Sequence, residues 1–174
     1  MKSLKSFLFP ITYSAIYSIA MLIAFYGGFQ NKLNSVSIIG WLLIVPFCVM
    51  AMIYAKKTMY NNYIGGKDAA KEGFTFLILS TVLLIVFQTI FFETGFKAYK
   101  INFIETYGLE LAKTQIANGN LKITEAEIPA LLKKEIEQIT LFREITSIIF
   151  KNLFLGTITT ALTAVSLKSR QILS

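Results

Sequence analysis

Histidine is absent from this chain, and cysteine is reduced to Cys48. The first absence removes the commonest general base near neutral pH and the commonest nitrogen ligand for metals. The second excludes an intrachain disulfide. Charge is scarce as well: 16% of the residues are charged, where a soluble domain of this size carries about a quarter. Those charges also cluster in a few segments, which leaves too little polar surface to wrap a water-soluble core.

What the chain has instead is apolar length. Its composition is 55% hydrophobic and its mean hydropathy is +0.60. Residues 6–31, 33–55 except for Lys32 before them, and 73–92 are free of charge. Each run is long enough at about 1.5 Å per residue to cross a hydrocarbon core of about 30 Å. A fourth run, 145–167, is interrupted only by Lys151. Starting after Lys151 would leave it short, so the helix is expected to begin earlier, with the lysine snorkelling to the interface. Four spans follow, at about 7–29, 35–55, 73–92 and 146–167. The fold class is all-α: an integral membrane four-helix bundle in a single membrane domain, 1–174.

Several residues in these runs carry expectations. Lys2 and Lys5 precede the first run as in a signal peptide, but no small-x-small cleavage site follows, so a retained helix is expected. Ser14 and Ser18 share a face where helices can approach closely. Pro46 lies inside the second run and should bend it. Trp41 and Tyr54 sit near that run's two ends, as interfacial aromatics do. Gln88 is the polar side chain of the third run and is expected to bond a neighbouring helix. Gly156, Thr160 and Ala164 are spaced i, i+4, i+8, a small-residue face for tight packing.

The segment 94–144 differs in composition. It holds seven Lys or Arg against seven Glu, and Asn118-Gly119-Asn120 divides it. Phe96, Tyr99, Phe103, Tyr107 and Leu111 mark one helical face before the division. After it, Thr124 and Glu127 have the spacing of a capping box, and Ile128, Leu132, Ile136, Ile139 and Phe142 form a second stripe. Lys133 and Glu137 can pair at i, i+4. An extramembrane antiparallel helical hairpin is expected, with its two stripes packed on each other.

Residues 56–72, KKTMYNNYIGGKDAAKE, form a basic connection between the second and third runs. Lys56, Lys57, Lys67 and Lys71 are suited to anionic lipid headgroups. Four spans put this connection and both termini on one side. The positive-inside rule makes that side cytoplasmic, since the turn opposite holds Lys32 alone and the longer 94–144 segment obeys the rule less. The Gly65-Gly66 pair lacks the spacing and strand of a phosphate-binding loop.

Residues 54–74, YAKKTMYNNYIGGKDAAKEGF, together with the charged helical insert before the last span, resemble an uncharacterised family of small four-span bacterial membrane proteins known as a domain of unknown function. The resemblance covers nearly the whole chain. It implies this architecture and a bacterial inner membrane, and it carries over no activity. Where it leads one to expect an Arg–acid pair after Tyr54, the chain has Ala55-Lys56-Lys57.

No catalytic, cofactor-binding or metal-binding residue is assigned, and neither a cofactor nor a nucleic-acid partner is expected. Glu125 and Glu127 are explained by helix capping. The expectation is a non-enzymatic structural or accessory membrane protein that meets a membrane partner, or its own copies, through the 94–144 hairpin. The alternative is an oligomeric transporter or channel for a small solute or ion, using Pro46, Gln88 and Lys151.

Overall fold

The computed structural model describes residues 7–168. Lys2 and Lys5, the lysines before the first run, lie outside them. Among the described residues there are seven α-helices and no strand. They are α1 (Leu8–Tyr26), α2 (Leu33–Leu42), α3 (Ile44–Thr58), α4 (Gly66–Phe91), α5 (Lys97–Ala117), α6 (Ile128–Glu137) and α7 (Leu141–Leu167). Four helical stretches are long and apolar enough to cross a membrane: α1, the α2–α3 pair, the stretch beginning with α4, and α7.

Local chemistry sets most of the boundaries. Pro10 falls in the first turn of α1, where its missing N–H costs nothing. The chain turns after α1 at Gly28, whose φ of 81° favours glycine. The second span divides at Leu43, three residues before Pro46. Proline cannot donate to the carbonyl four residues back and its ring crowds it, so the expected bend appears as a break between α2 and α3. The basic connection is shorter than its sequence suggests. Lys56 and Lys57 belong to the last turns of α3, and α4 begins at Gly66 rather than near Gly73. Asp68 in its first turn suits the positive end of the helix dipole.

The chain forms two compact units. The first holds residues up to Phe87 and from Ser147 onward. Its surface is apolar: Ile78, Val82 and Val86 on α4, and Leu162 and Val165 on α7, are all exposed. Its interior takes the polar side chains Ser14, Ser80, Thr81, Asn152, Thr159 and Thr160. An apolar outside, with the buried polar groups set among apolar side chains such as Met52, Phe76 and Leu77, is the arrangement suited to lipid, where polar groups need protein partners.

Small residues let the helices of this unit meet. A Cβ on Gly156 would collide with Leu77 Cδ2, and one on Gly73 would lie 2.5 Å from Thr160 Cγ2 and 2.9 Å from Met52 Sδ. Gly156, Thr160 and Ala164 are all buried, so the small-residue face of α7 is the one that packs. Gly40 likewise receives the Tyr17 ring.

The second unit, Gln88–Thr146, is entered through a π-helical turn, Phe92–Phe96. Gly95 has φ 146° there, a conformation that breaks the helix before α5. The α5 helix ends at Asn118, and Gly119, with φ 71°, makes the turn. The cross-contacts then run antiparallel: Lys113 with Glu125 at 3.7 Å, Gly108 against Leu132, and Lys100 with Glu144. The α6 helix stops at Glu137. Ile139 and Phe142 therefore leave the stripe assigned to them, and Phe142 is fully open at 79% exposure. Lys133 and Glu137 both remain exposed.

Thr124 donates from its N–H (2.7 Å) and its hydroxyl (2.9 Å) to the Glu127 carboxylate. These bonds, the backbone one foremost, hold the Glu127 carboxyl below its ordinary range. A carboxyl lowered on folding contributes stability above its unfolded pKa and loses it as pH falls through the folded one. Protection of the Thr124 amide from hydrogen exchange is therefore expected to fall as pH drops below the ordinary glutamate value of about 4.3. Glu127→Gln should weaken that protection at neutral pH and remove the pH step. A second expectation concerns α7. Gly156→Ala should destabilise the protein by about 1–3 kcal/mol through overpacking, with Leu77→Ala in the same chain restoring part of the loss in detergent unfolding.

Candidate functional site

Three places concentrate polar chemistry. The first is the seam inside the span unit. Asn152 Nδ2 donates to Thr81 Oγ1 at 3.2 Å, and the Ser14 hydroxyl donates to the Ser80 carbonyl at 3.4 Å. Ser80 Oγ turns back to the Leu77 carbonyl (3.1 Å), and Cys48 Sγ meets Thr160 Oγ1 at 3.4 Å. Among the described residues no buried polar side chain in this set carries a charge. The seam consequently joins helices, and it offers no intramembrane ionisable group of the kind that marks a solute or proton path. Among the described residues two buried donors have no hydrogen-bond partner, the Tyr13 hydroxyl and the Trp41 indole N–H. The Tyr13 ring is held between Phe47 and Phe76, at 5.8 and 5.9 Å.

Sequence reasoning passed over Asn152 and Thr81. The signal was available: Asn152 stands four residues before Gly156, on the same face as Thr160 and Ala164. The residues named for transport fall elsewhere. Pro46 and Lys151 are exposed on the outer surface, and Gln88 is buried.

The second place is the basic end of the span unit. The Lys56 ammonium donates to the Leu167 carbonyl at 2.9 Å, capping the negative end of α7. Phe9 and Tyr54 pair with centroids 5.4 Å apart. The beginning of α1, the end of α3, the beginning of α4 and the end of α7 thus share one end of this unit. Lys57, Lys67 and Lys71 are exposed there. Asn61 and Asn62 take positive φ (48° and 66°), and the Asn62 N–H returns to the Lys56 carbonyl. Tyr60 donates to Glu72 Oε1 at 3.1 Å. Burial first, and the Glu72 carboxylate second, push its phenol up to about 12.

The third place is the hairpin. A shallow groove between α5 and α6 has an apolar floor of Ile104, Pro129, Leu132 and Ile136, bordered by Glu105, Lys133 and Glu137. The helices pack through Ile104, Gly108 and Ala112 of α5. The aromatic stripe assigned to that role does not do so: Phe103 and Tyr107 are 41% and 52% exposed. Gly108 decides the matter, because a Cβ there would come within 2.8 Å of Leu132 Cδ2.

Among the described residues no three His, Cys, Asp or Glu gather as a metal site. Helices without strands, four membrane-length apolar stretches and an inward polar seam among the described residues make this an integral membrane protein. It belongs to the family described as a protein of unknown function, DUF4199, which it matches over residues 9–169. No curated protein and no solved structure matches it.

The seam makes a direct prediction. Thr81→Val strips Asn152 of its acceptor and should cost about 0.6–2 kcal/mol. Tyr13→Phe removes a buried hydroxyl that has no partner and should be neutral or stabilising by about 1 kcal/mol. Paired unfolding measurements in one detergent read both.

Proposed function

We propose that this is a non-enzymatic structural or accessory protein of a bacterial inner membrane, with both termini cytoplasmic, which holds a membrane partner or a second copy through its 94–144 hairpin. The observation that carries this reading is the division of polar chemistry. In the span unit the buried side chains of Asn152, Ser14 and Cys48 make their polar contacts with a neighbouring helix. In the hairpin the groove between α5 and α6 stays open, with charges of both signs on its borders. Apolar floors rimmed by mixed charge suit protein docking, where the rim selects the partner. Lys57, Lys67 and Lys71, exposed at the other unit's basic end, supply anionic lipid with a counter-surface that is independent of the hairpin.

Lys113, Lys122, Lys133 and Lys134 are all exposed on the hairpin. An amine-reactive crosslinker applied to native membranes is expected to give one discrete adduct. The combined variant with these four lysines and the likewise exposed Lys97 all replaced by Arg keeps the charge and should lose that adduct. An adduct that survives in the variant would place the contact elsewhere and remove the basis of this reading.

A further inference from the structure

Glu72 stands where charge gives way to apolar sequence: it is the last charged residue before the uncharged run 73–92. It lies in the second turn of α4, and the Tyr60 phenol donates to its Oε1. A carboxylate accepts at about four positions and donates at none, so most of its capacity is left over. Among the described residues the ion pairs are Lys100 with Glu144 and Lys113 with Glu125, and neither involves Glu72. Beside it, wholly within the span unit, lies a small and largely enclosed cavity between α1, α3 and α4. Phe9 of α1, Tyr54 and Met59 at the end of α3, and Glu72, Thr75 and Phe76 of α4 line it. It has room for about one water-sized group.

The wall is rich in acceptors. Thr75 gives its hydroxyl proton to the Lys71 carbonyl at 2.8 Å, which leaves its lone pairs free to accept. The Met59 thioether is a weak acceptor, and the ring faces of Phe9, Tyr54 and Phe76 are electrostatically negative. A water there would bring lone pairs that this wall does little to satisfy. An ammonium group is of similar size, carries three donors and no lone pair, and is drawn to ring faces as well as to a carboxylate. We propose that this cavity binds a primary ammonium group, carried by an ethanolamine phospholipid headgroup or by a free alkylammonium ion. Its place favours the lipid. The cavity sits at the end of the span unit where the apolar runs stop, the level at which a spanning helix meets headgroups. Lys57 and Lys71, exposed at that end, offer the lipid phosphate a counter-charge. A choline headgroup fits poorly, because three methyl groups replace the three N–H donors and overfill the space.

The site is independent of the hairpin and of whatever the hairpin holds. The full chain in mild detergent is titrated with phosphatidylethanolamine, phosphatidylcholine and phosphatidylglycerol of identical acyl chains, and native mass spectrometry reads the adducts. Ethylammonium chloride is added separately while thermal unfolding is followed. The ethanolamine lipid is expected to bind on the order of tenfold more tightly than the choline lipid. Glu72→Gln keeps an acceptor for Tyr60 and should abolish that difference without weakening the phosphatidylglycerol adduct, which also reports that the variant is folded. Phe9→Leu keeps the carboxylate, removes one ring from a different helix, and should reduce the preference about two- to fivefold. Stabilisation by ethylammonium that Glu72→Gln abolishes, with no preference among the lipids, would support the site and assign it to free amines. Equal binding of the ethanolamine and choline lipids together with no effect of ethylammonium would overturn the proposal. A preference that survives Glu72→Gln would overturn it too.

Discussion

Everything in the span unit depends on how closely the third and fourth spans approach. Gly156 opposite Leu77 and Gly73 opposite Thr160 bring α4 and α7 to a separation that no Cβ would allow. In lipid there is little hydrophobic drive to pull apolar helices together, so contact area and short polar bonds must do it. At this separation a short side chain on one helix reaches the other, and Asn152 finds Thr81. The same crossing admits α3, because Met52 lies against Gly73 and Cys48 against Thr160. α1 joins through Ser14, whose hydroxyl reaches the Ser80 carbonyl on α4.

Fixing the crossing also fixes one end of the unit. α7 ends where Lys56 can reach the Leu167 carbonyl, so a cation of α3 neutralises the exposed carbonyls of α7. The turn that follows α3 is tightened by two left-handed asparagines, and Tyr60 leans back onto Glu72 of α4. The basic connection is thereby an ordered cap rather than a loose loop. The hairpin unit repeats the small-residue device. Gly108 lets Leu132 seat against α5, and ion pairs replace buried amides: Lys113 with Glu125, and Lys100 with Glu144.

The features written in composition were legible from sequence, and those written in phase were not. Uncharged runs announced four spans. Pro46 announced a break, and the 156–160–164 spacing announced the packing face of α7. The Thr124–Glu127 spacing announced the capped 3-10 turn, Glu125–Glu127, that leads into α6. Misread features had two causes. Charge was taken to mean loop at residues 66–72, although Asp68, Ala69 and Ala70 make a good first helical turn and the charges point outward. Apolarity was taken to mean packing on α5, although two apolar stripes run side by side there. Gly108 and Ala112, the smaller residues, are what mark the stripe that packs. Gly95 gave no warning of the π-turn, because nothing local distinguishes a glycine held at φ 146° from one that merely ends a helix.

That confusion between stripes has a physical meaning. Large side chains win a packing contest only where helices stand apart, and small ones win where they come close. The α5 helix carries both solutions: a Gly/Ala face against α6 and a Phe/Tyr face away from it. A sequence selected only for hairpin stability would have little reason to place rings on the open side, since an exposed ring contributes nothing to that contact and invites association. The small residue lets α6 approach on one side of α5, and that approach leaves Phe103 and Tyr107 open on another.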